Sequence, residues 1–488
     1  MRRRASLHNL GCKVNAYETE AMEQLLAAAG YEIVPFGETS DVCIINTCSV
    51  TNVADKKSRQ MLHRAKAKNP DAVVVAAGCY VQAAAGELLK DGAVDIIIGN
   101  NKKKELVSIL EEYFQRRAEP ESRKDEEHRE CRKEQEDSHV IDIGSTWEYE
   151  DLHISRVAEH TRAFIKVQDG CNQFCSYCII PYTRGRVRSR RPEDVEAEVR
   201  QLAASGYREV VLTGIHLSSY GIDRREMGEA DWLESSGDSD GSKAGGRGQA
   251  LLALIQRIHQ IDGVERIRLG SLEPRIVTEE FARSLAKLPK VCPHFHLSLQ
   301  SGCLETLKRM NRHYTPEEYL ECCRRLRRVY DDPAITTDVI VGFPGETEEE
   351  FARTQRFLET VGFYEMHVFK YSRRKGTRAD RMPEQVPEPV KGQRSDILLA
   401  MEADMSQDYR KRFLGRRVSV LWEEEIPING ETCMAGYTRE YIRAAVSKTR
   451  LASLGLKAAP GQIVQGRLVG MLNEKTAEFE PEMEELFH

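Results

Sequence analysis

No apolar run in this chain of 488 residues approaches the roughly 20 needed to cross a bilayer. The opening residues, Met1 to Ala5, lack the apolar stretch of a secretory signal. These two absences predict a soluble, cytoplasmic protein with no membrane partner. A basic excess is missing too. The net charge is −6, so any contact with nucleic acid must rest on local patches. Cysteine, by contrast, is plentiful. There are 13, and in a non-secreted chain they point to reduced thiols and metal, not disulfides.

Three of them, Cys171, Cys175 and Cys178, fall in one C-x3-C-x2-C run. Soft, charged thiolates suit iron–sulfur clusters, and three can hold three irons of a 4Fe-4S cluster. The fourth iron is left for a ligand that is not protein, the arrangement of a cluster that binds and reduces a small molecule. A zinc knuckle is the competing reading. Zinc takes four closed ligands, usually as two short pairs, and no histidine stands near this run. The spacing favours the cluster, and with it an enzyme.

Strands are predicted at 5–10, 31–36, 41–46, 72–77 and 95–98, with helices at 16–29 and 55–68 between them. This alternation predicts a doubly wound α/β domain with a parallel sheet over 1–113. Cys12, Cys48 and Cys79 each follow a strand, at the carboxyl edge where such sheets bind ligands. One cysteine there would read as a small buried hydrophobe. Three on one edge predict a second cluster. Cys43 lies inside its strand and reads as core. Residues 114–156 read as a charged linker, with Cys131 a bystander.

From 157 to 405, strands at 163–168, 209–213, 266–269, 294–299, 335–341 and 366–371 alternate with helices. They predict a partial (β/α)6 barrel whose chemistry gathers at the carboxyl ends of its strands, and the cysteine triad follows the first of them. Residues 223–249 read as a flexible low-complexity insertion. Strands at 418–422, 441–446 and 463–469 predict a small β-barrel over 406–472, followed by an acidic tail over 473–488.

Arg184, Arg186, Arg188, Arg190 and Arg191 follow the triad and read as a docking patch for phosphate or carboxylate. Thr213 and Gly214 end one barrel strand. Ser298 and Gln300 end another, with hydroxyl and amide groups suited to a ribose or an amino-acid moiety. His216, His294 and His296 read as rim or core histidines ahead of metal ligands. Residues 371–377, with Arg373 and Arg374, end the sixth strand and could contact phosphate.

From about residue 7 to residue 472 the chain resembles the radical S-adenosylmethionine (SAM) methylthiotransferases. It carries their cysteine triad, six-unit barrel and three N-terminal cysteines. Its last barrel is similar to the TRAM domain, an RNA-binding module. Residues 10–15, 46–59 and 296–303 resemble the branch that modifies N6-threonylcarbamoyladenosine in tRNA. Two features depart from the pattern: Arg378 stands where the family often has proline, and the insertion at 223–249 is long.

The resemblance implies that Cys171, Cys175 and Cys178 hold a reducible 4Fe-4S cluster whose open iron is chelated by SAM. It implies that Cys12, Cys48 and Cys79 hold an auxiliary 4Fe-4S cluster that presents sulfur. A SAM-derived radical would take hydrogen from C2 of the modified adenine, and a second SAM would give the methyl group. By the same resemblance Thr213 and Gly214 face the SAM amino group, Ser298 and Gln300 face the sugar, and Tyr177 lies near the adenine. The implied partners are tRNA, through its anticodon loop, and an electron donor such as flavodoxin or ferredoxin. Other readings stay open: another tRNA adenosine, a ribosomal-protein aspartate, or a metal-containing RNA-binding protein without catalysis.

Overall fold

The computed structural model describes residues 2–118, 137–155, 161–228 and 248–482. The chain forms two compact units. The first combines Met1–Ser155, Lys166–Arg191 and Ser372–Arg381. The second combines Arg156–Ile165, Pro192–Tyr371 and Met382–His488.

In the first unit β1 (Arg4–Asn9), β2 (Glu32–Ile33), β3 (Val42–Thr47), β4 (Val73–Gly78), β5 (Ile96–Ile98) and β6 (Ser138–His139) form one parallel sheet. Their order is 2-1-3-4-5-6. Every residue of β3 and β4 is buried, as expected of strands covered on both faces. Val42, Ile44, Val73 and Val75 pack on one side with Met22, Leu26 and Ile109. Cys43, Ile45, Val74 and Ala76 pack on the other with Leu62, Ala65 and Val81. The sheet is therefore doubly wound, and its order reverses between β1 and β3.

The helix Leu106–Ala118 runs past residue 113, and β6 pairs with β5. The segment read as a linker thus contributes a strand to the sheet. Residues 119–136, with Cys131, lie outside the described residues. The second half of β7 (Arg162–Asp169) pairs antiparallel with β8 (Arg188–Ser189), and the cysteine triad lies on the connection between them.

In the second unit β9 (Glu209–Gly214), β10 (Arg266–Leu269), β11 (His294–His296), β12 (Ala334–Val341) and β13 (Glu365–Lys370) follow the first half of β7. Isolated bridges, Ile267 to Val291 and Leu272 to Leu297, join the β10 side to the β11-β12-β13 sheet and complete the partial barrel. Helix starts are set locally. Thr315 with Glu318, and Thr347 with Glu350, form reciprocal capping boxes at Pro316–Val329 and Glu348–Val361.

A closed barrel follows, built from β14 (Arg417–Ile428), β15 (Glu431–Thr438), β16 (Arg443–Ser447), β17 (Ile463–Met471) and β18 (Ala477–Pro481). Its core centres on Trp422, edge-on to Phe479. β18 corrects the reading of 473–488 as a tail. Ala477, Phe479 and Pro481 alternate inward, and the surrounding glutamates hid that period. Residues 483–488, and 229–247 of the insertion, lie outside the described residues.

Buried Glu209 anchors this barrel to the partial one. It pairs with Arg266 and Arg268, whose guanidinium groups also donate to the carbonyls of Ser419, Tyr437 and Arg439. Glu209 and Arg266 are the first residues of their strands, so the closed barrel meets the edge opposite the strand ends where chemistry is expected. No helix of the described residues is long and apolar enough to cross a membrane.

Candidate functional site

Cys12, Cys48 and Cys79 follow β1, β3 and β4 directly or within a few residues, at the carboxyl edge of the sheet and beside its switch point. Glycine makes two of these corners possible. Gly11 and Gly78 have φ of +109° and +96°, and a Cβ on Gly78 would lie 2.5 Å from Asn46 Oδ1. Gly11 lies close enough to Cys48 that a Cβ would stand 3.0 Å from its Sγ. Asn15 ties the strand ends together, donating to Leu10 O at 2.7 Å and Thr47 O at 3.0 Å. Burial pushes the Cys48 thiol up to about 11, and the nearby Cys79 and Cys12 thiols add to the rise. The Cys48 thiol therefore stays protonated at neutral pH unless a metal displaces the proton.

Beneath Cys79 lies a buried ion network. Glu18 accepts from Arg184 at 2.8 Å and Lys166 at 2.8 Å, and pairs with Lys103 at 3.1 Å. Asp169 pairs with Lys166 at 2.7 Å, Arg184 at 3.1 Å and Arg188 at 3.7 Å. Four cations thus face two carboxylates. Burial would raise the Glu18 carboxyl, but Arg184, Lys103 and Lys166 hold it well below the usual range. Arg184 Nε donates to Cys79 Sγ at 3.2 Å, and Asn100 Nδ2 approaches the same sulfur at 3.6 Å. The cationic excess therefore ends at a cysteine, where a thiolate would balance it.

The second set of cysteines hangs from the same network. Asp169 Oδ1 accepts from Gly170 N at 2.8 Å, one residue before Cys171. Gly170 has φ +71°, and a Cβ there would lie 1.8 Å from Arg186 O. Cys171 N donates to Gly185 O at 3.0 Å, and Cys178 N to Cys175 O at 3.0 Å. Cys171 is buried, whereas Cys175, Tyr177 and Cys178 are half-buried. Phe174 and Tyr182 are exposed and meet edge to face, with Arg186 over the Phe174 ring at 5.3 Å.

The arginine run is not the docking patch the sequence predicts. Arg184, Arg188 and Arg190 are buried, and Arg190 pairs with Asp151. Arg186 and Arg191 are the exposed members. Arg374 is likewise committed within the protein, to Asp55 at 2.6 Å, Ser49 at 2.7 Å and Asn52 at 2.8 Å, so it braces the loop after Cys48.

Thr213, Gly214, Ser298 and Gln300 belong to the second unit. Thr213 and Gly214 close β9, with Thr213 buried. Ser298 and Gln300 lie just past β11. Gln300 has φ +71° and exchanges backbone hydrogen bonds with Asp338 and Ile340 of β12. His216 is held by Ser219 at 2.6 Å and does not join His296 in any metal-sized cluster among the described residues. Sequence reasoning missed Glu18, Asp169, Lys103 and Lys166. Lys166 alone left a signal, a charge in the middle of an apolar strand.

Two family profiles match the chain: Radical SAM superfamily over residues 165–358, and Uncharacterized protein family UPF0004 over residues 4–99. The chain is 39% identical over 445 residues to the threonylcarbamoyladenosine tRNA methylthiotransferase MtaB of Bacillus subtilis, covering 91% of this chain and 90% of that protein. It is 37% identical to the protein of the same name from Aquifex aeolicus, covering 86% and 93%. The tRNA-2-methylthio-N(6)-dimethylallyladenosine synthase of Caldicellulosiruptor saccharolyticus is 35% identical, covering 84% and 80%. This chain belongs to the radical SAM methylthiotransferase family. Among solved structures, the radical SAM methyltransferase TsrM of Kitasatospora setae shares the fold, with a TM-score of 0.50 at 16% identity over 78% of this chain and 77% of that one.

Methylthiotransferases of this family are transferases that use SAM and two 4Fe-4S clusters. The residues present fit that complement. Soft thiols stand in two groups of three, and the buried cationic excess at Cys79 suits an anionic cluster.

Proposed function

We propose that this methylthiotransferase acts on tRNA, converting N6-threonylcarbamoyladenosine beside the anticodon to its 2-methylthio derivative. The observation that carries the reading is that both cysteine triads lie in one compact unit, braced by a single buried network from Asp169 to Arg184. The 39% identity to the Bacillus subtilis protein named for that nucleoside supports the substrate.

In this reading Cys171, Cys175 and Cys178 would hold the cluster that carries SAM, and Cys12, Cys48 and Cys79 the auxiliary one. When bound, these groups supply a SAM-derived radical reactive enough for an aromatic C–H bond, together with the sulfur and methyl that are transferred. The chain's own residues position and protect. Arg184 fixes Cys79 and offsets the charge of the thiolates. Gly170 lets the triad loop turn against Arg186. Phe174, Tyr182 and Arg186 offer exposed ring faces and a guanidinium plane on which a splayed loop base can stack. Thr213, Gly214, Ser298, Gln300 and Tyr177 would contact SAM or the adenine. A low-potential donor such as flavodoxin or ferredoxin, in the cytoplasm, would supply the electron.

The test is expression in a bacterial host deleted for its own methylthiotransferases, followed by mass spectrometry of tRNA nucleosides. The expected product is 2-methylthio-N6-threonylcarbamoyladenosine, absent with Cys171→Ala and with Cys48→Ala. A methylthiolated isopentenyladenosine in its place would move the substrate to the sister branch. No nucleoside product from iron-loaded, SAM-cleaving protein would refute the tRNA assignment.

A further inference from the structure

We propose that the partial barrel holds a divalent first-row transition cation, of the zinc class, on His296, Asp338 and His367. The three residues come from adjacent parallel strands, β11, β12 and β13. Asp338 and His367 are register partners, and His296 is paired with Thr336, two residues before Asp338 and on the same face. One donor atom from each residue lies within 4.8 Å of the other two.

These donors converge without satisfying one another. His296 Nε2 is 3.3 Å from Asp338 Oδ2, yet it is buried and makes no hydrogen bond. A buried ring nitrogen beside a carboxylate usually takes that bond. Here the two groups meet off its geometry, as they would when both point at a third atom. The ring is held from behind, where His296 Nδ1 meets Thr336 Oγ1 at 3.0 Å, a bond Nδ1 would donate with Nε2 on a metal. A ligating histidine almost always has such a support on its other nitrogen. The His296 and His367 rings stand nearly parallel, with centroids 5.9 Å apart.

The trio faces the concave side of the barrel. Phe295, on the opposite face of β11, is buried against Tyr330 at the end of the helix Pro316–Val329, so the helices lie on that other side. Two imidazoles and one carboxylate suit zinc or ferrous iron, not calcium or magnesium. Three protein donors leave at least one coordination position open. His296 and Asp338 are half-buried and His367 is exposed, so an outside oxygen ligand could reach it. None of these residues belongs to the cysteine sites.

Zinc chloride titrated into the cluster-loaded protein, followed by calorimetry and zinc K-edge absorption, tests this. The expected result is one equivalent bound through nitrogen and oxygen at about 2.0–2.1 Å. Affinity should fall at least 100-fold in His367→Ala, which alters an exposed residue, with iron content unchanged. Thr336→Val, which leaves all three ligands in place, should weaken binding about 10- to 100-fold. Zinc seen only with sulfur neighbours near 2.3 Å, or bound equally well by His367→Ala, would overturn the assignment. So would no binding at all.

Discussion

Replacing Glu18 by Gln removes the carboxylate that Arg184, Lys166 and Lys103 share, and leaves Asp169 to face four buried cations. Breaking one buried ion pair from a single side costs about 3–5 kcal/mol, because the remaining charge stays desolvated and unbalanced. Glu18 serves three partners, so the loss should lie at the upper end of that range. For a unit of this size each kcal/mol lowers Tm by about 2–4 °C, which gives a fall of roughly 10–20 °C in the metal-free protein. Lys103→Met is the matched control. It deletes a cation from the excess, and its main penalty is the lost partner of Asn100 Oδ1, so about 2 kcal/mol or less is expected. The assay is thermal unfolding of both variants followed by circular dichroism, with the cysteines reduced and iron removed. Losing the shared anion should therefore cost more than losing one of the cations. Equal losses from Glu18→Gln and Lys103→Met would refute it.

Gly170→Ala should abolish assembly of the cluster proposed on Cys171, Cys175 and Cys178, since the new methyl would overlap Arg186 O; iron content should fall to that of a single cluster, and a full complement would show that the loop can bend. Arg184→Gln, made in a Cys171→Ala background, should lower the reduction potential of the remaining cluster, because a positive charge and an N–H donor to Cys79 Sγ are lost. A redox titration followed by electron paramagnetic resonance reads the shift, and an unchanged potential would remove Arg184 from that role. In the second unit burial alone would raise Glu209, but Arg268, then Arg266 and Arg162, hold it at about 2. A carboxylate depressed from 4.5 stabilises fully above pH 4.5 and loses its contribution as pH falls through about 2, an effect of about 3 kcal/mol. Acid unfolding of Glu209→Gln should therefore be shallower than wild type between those limits, and parallel curves would contradict the assignment.

Much of the fold was legible because it is written in period. The apolar runs of β3 and β4 announce a parallel sheet, and Cys12, Cys48 and Cys79, each following a strand, stand at its carboxyl edge as that pattern predicts. What stayed hidden was the fate of charge. Arg184, Arg188 and Arg190 look like a solvated or docking run, because a sequence cannot say which charges will find partners inside. Glu18 stands 166 residues before Arg184, on a helix, while Asp169 at a strand end serves Arg184 and Arg188, and Asp151 serves Arg190. β18 was missed for a related reason. Glu478 and Glu480 flank Phe479, and a count of glutamates outweighed the alternation that places the ring in the barrel core. The cysteine spacing was legible as chemistry, yet it could not show that both triads share one compact unit.

That sharing bears on why a methylthiotransferase would bury so much charge. Buried ion networks are weak evidence for stability, since apolar side chains of similar volume often do as well or better. An excess of cations is worse still, unless something anionic completes it. Arg184 is the member that reaches outward, and what it reaches is the sulfur of Cys79. Burial opposes its cationic form, and negative charge at that sulfur, then Glu18 and Asp169, favours it. Asp169, at the other end, orients the amide of Gly170 at the start of the triad loop. The network is therefore incomplete as a structural element and complete only with negative charge at the cysteines. Its unbalanced charge falls where the proposed auxiliary cluster would sit, and its other end sets the backbone that leads into the proposed SAM cluster.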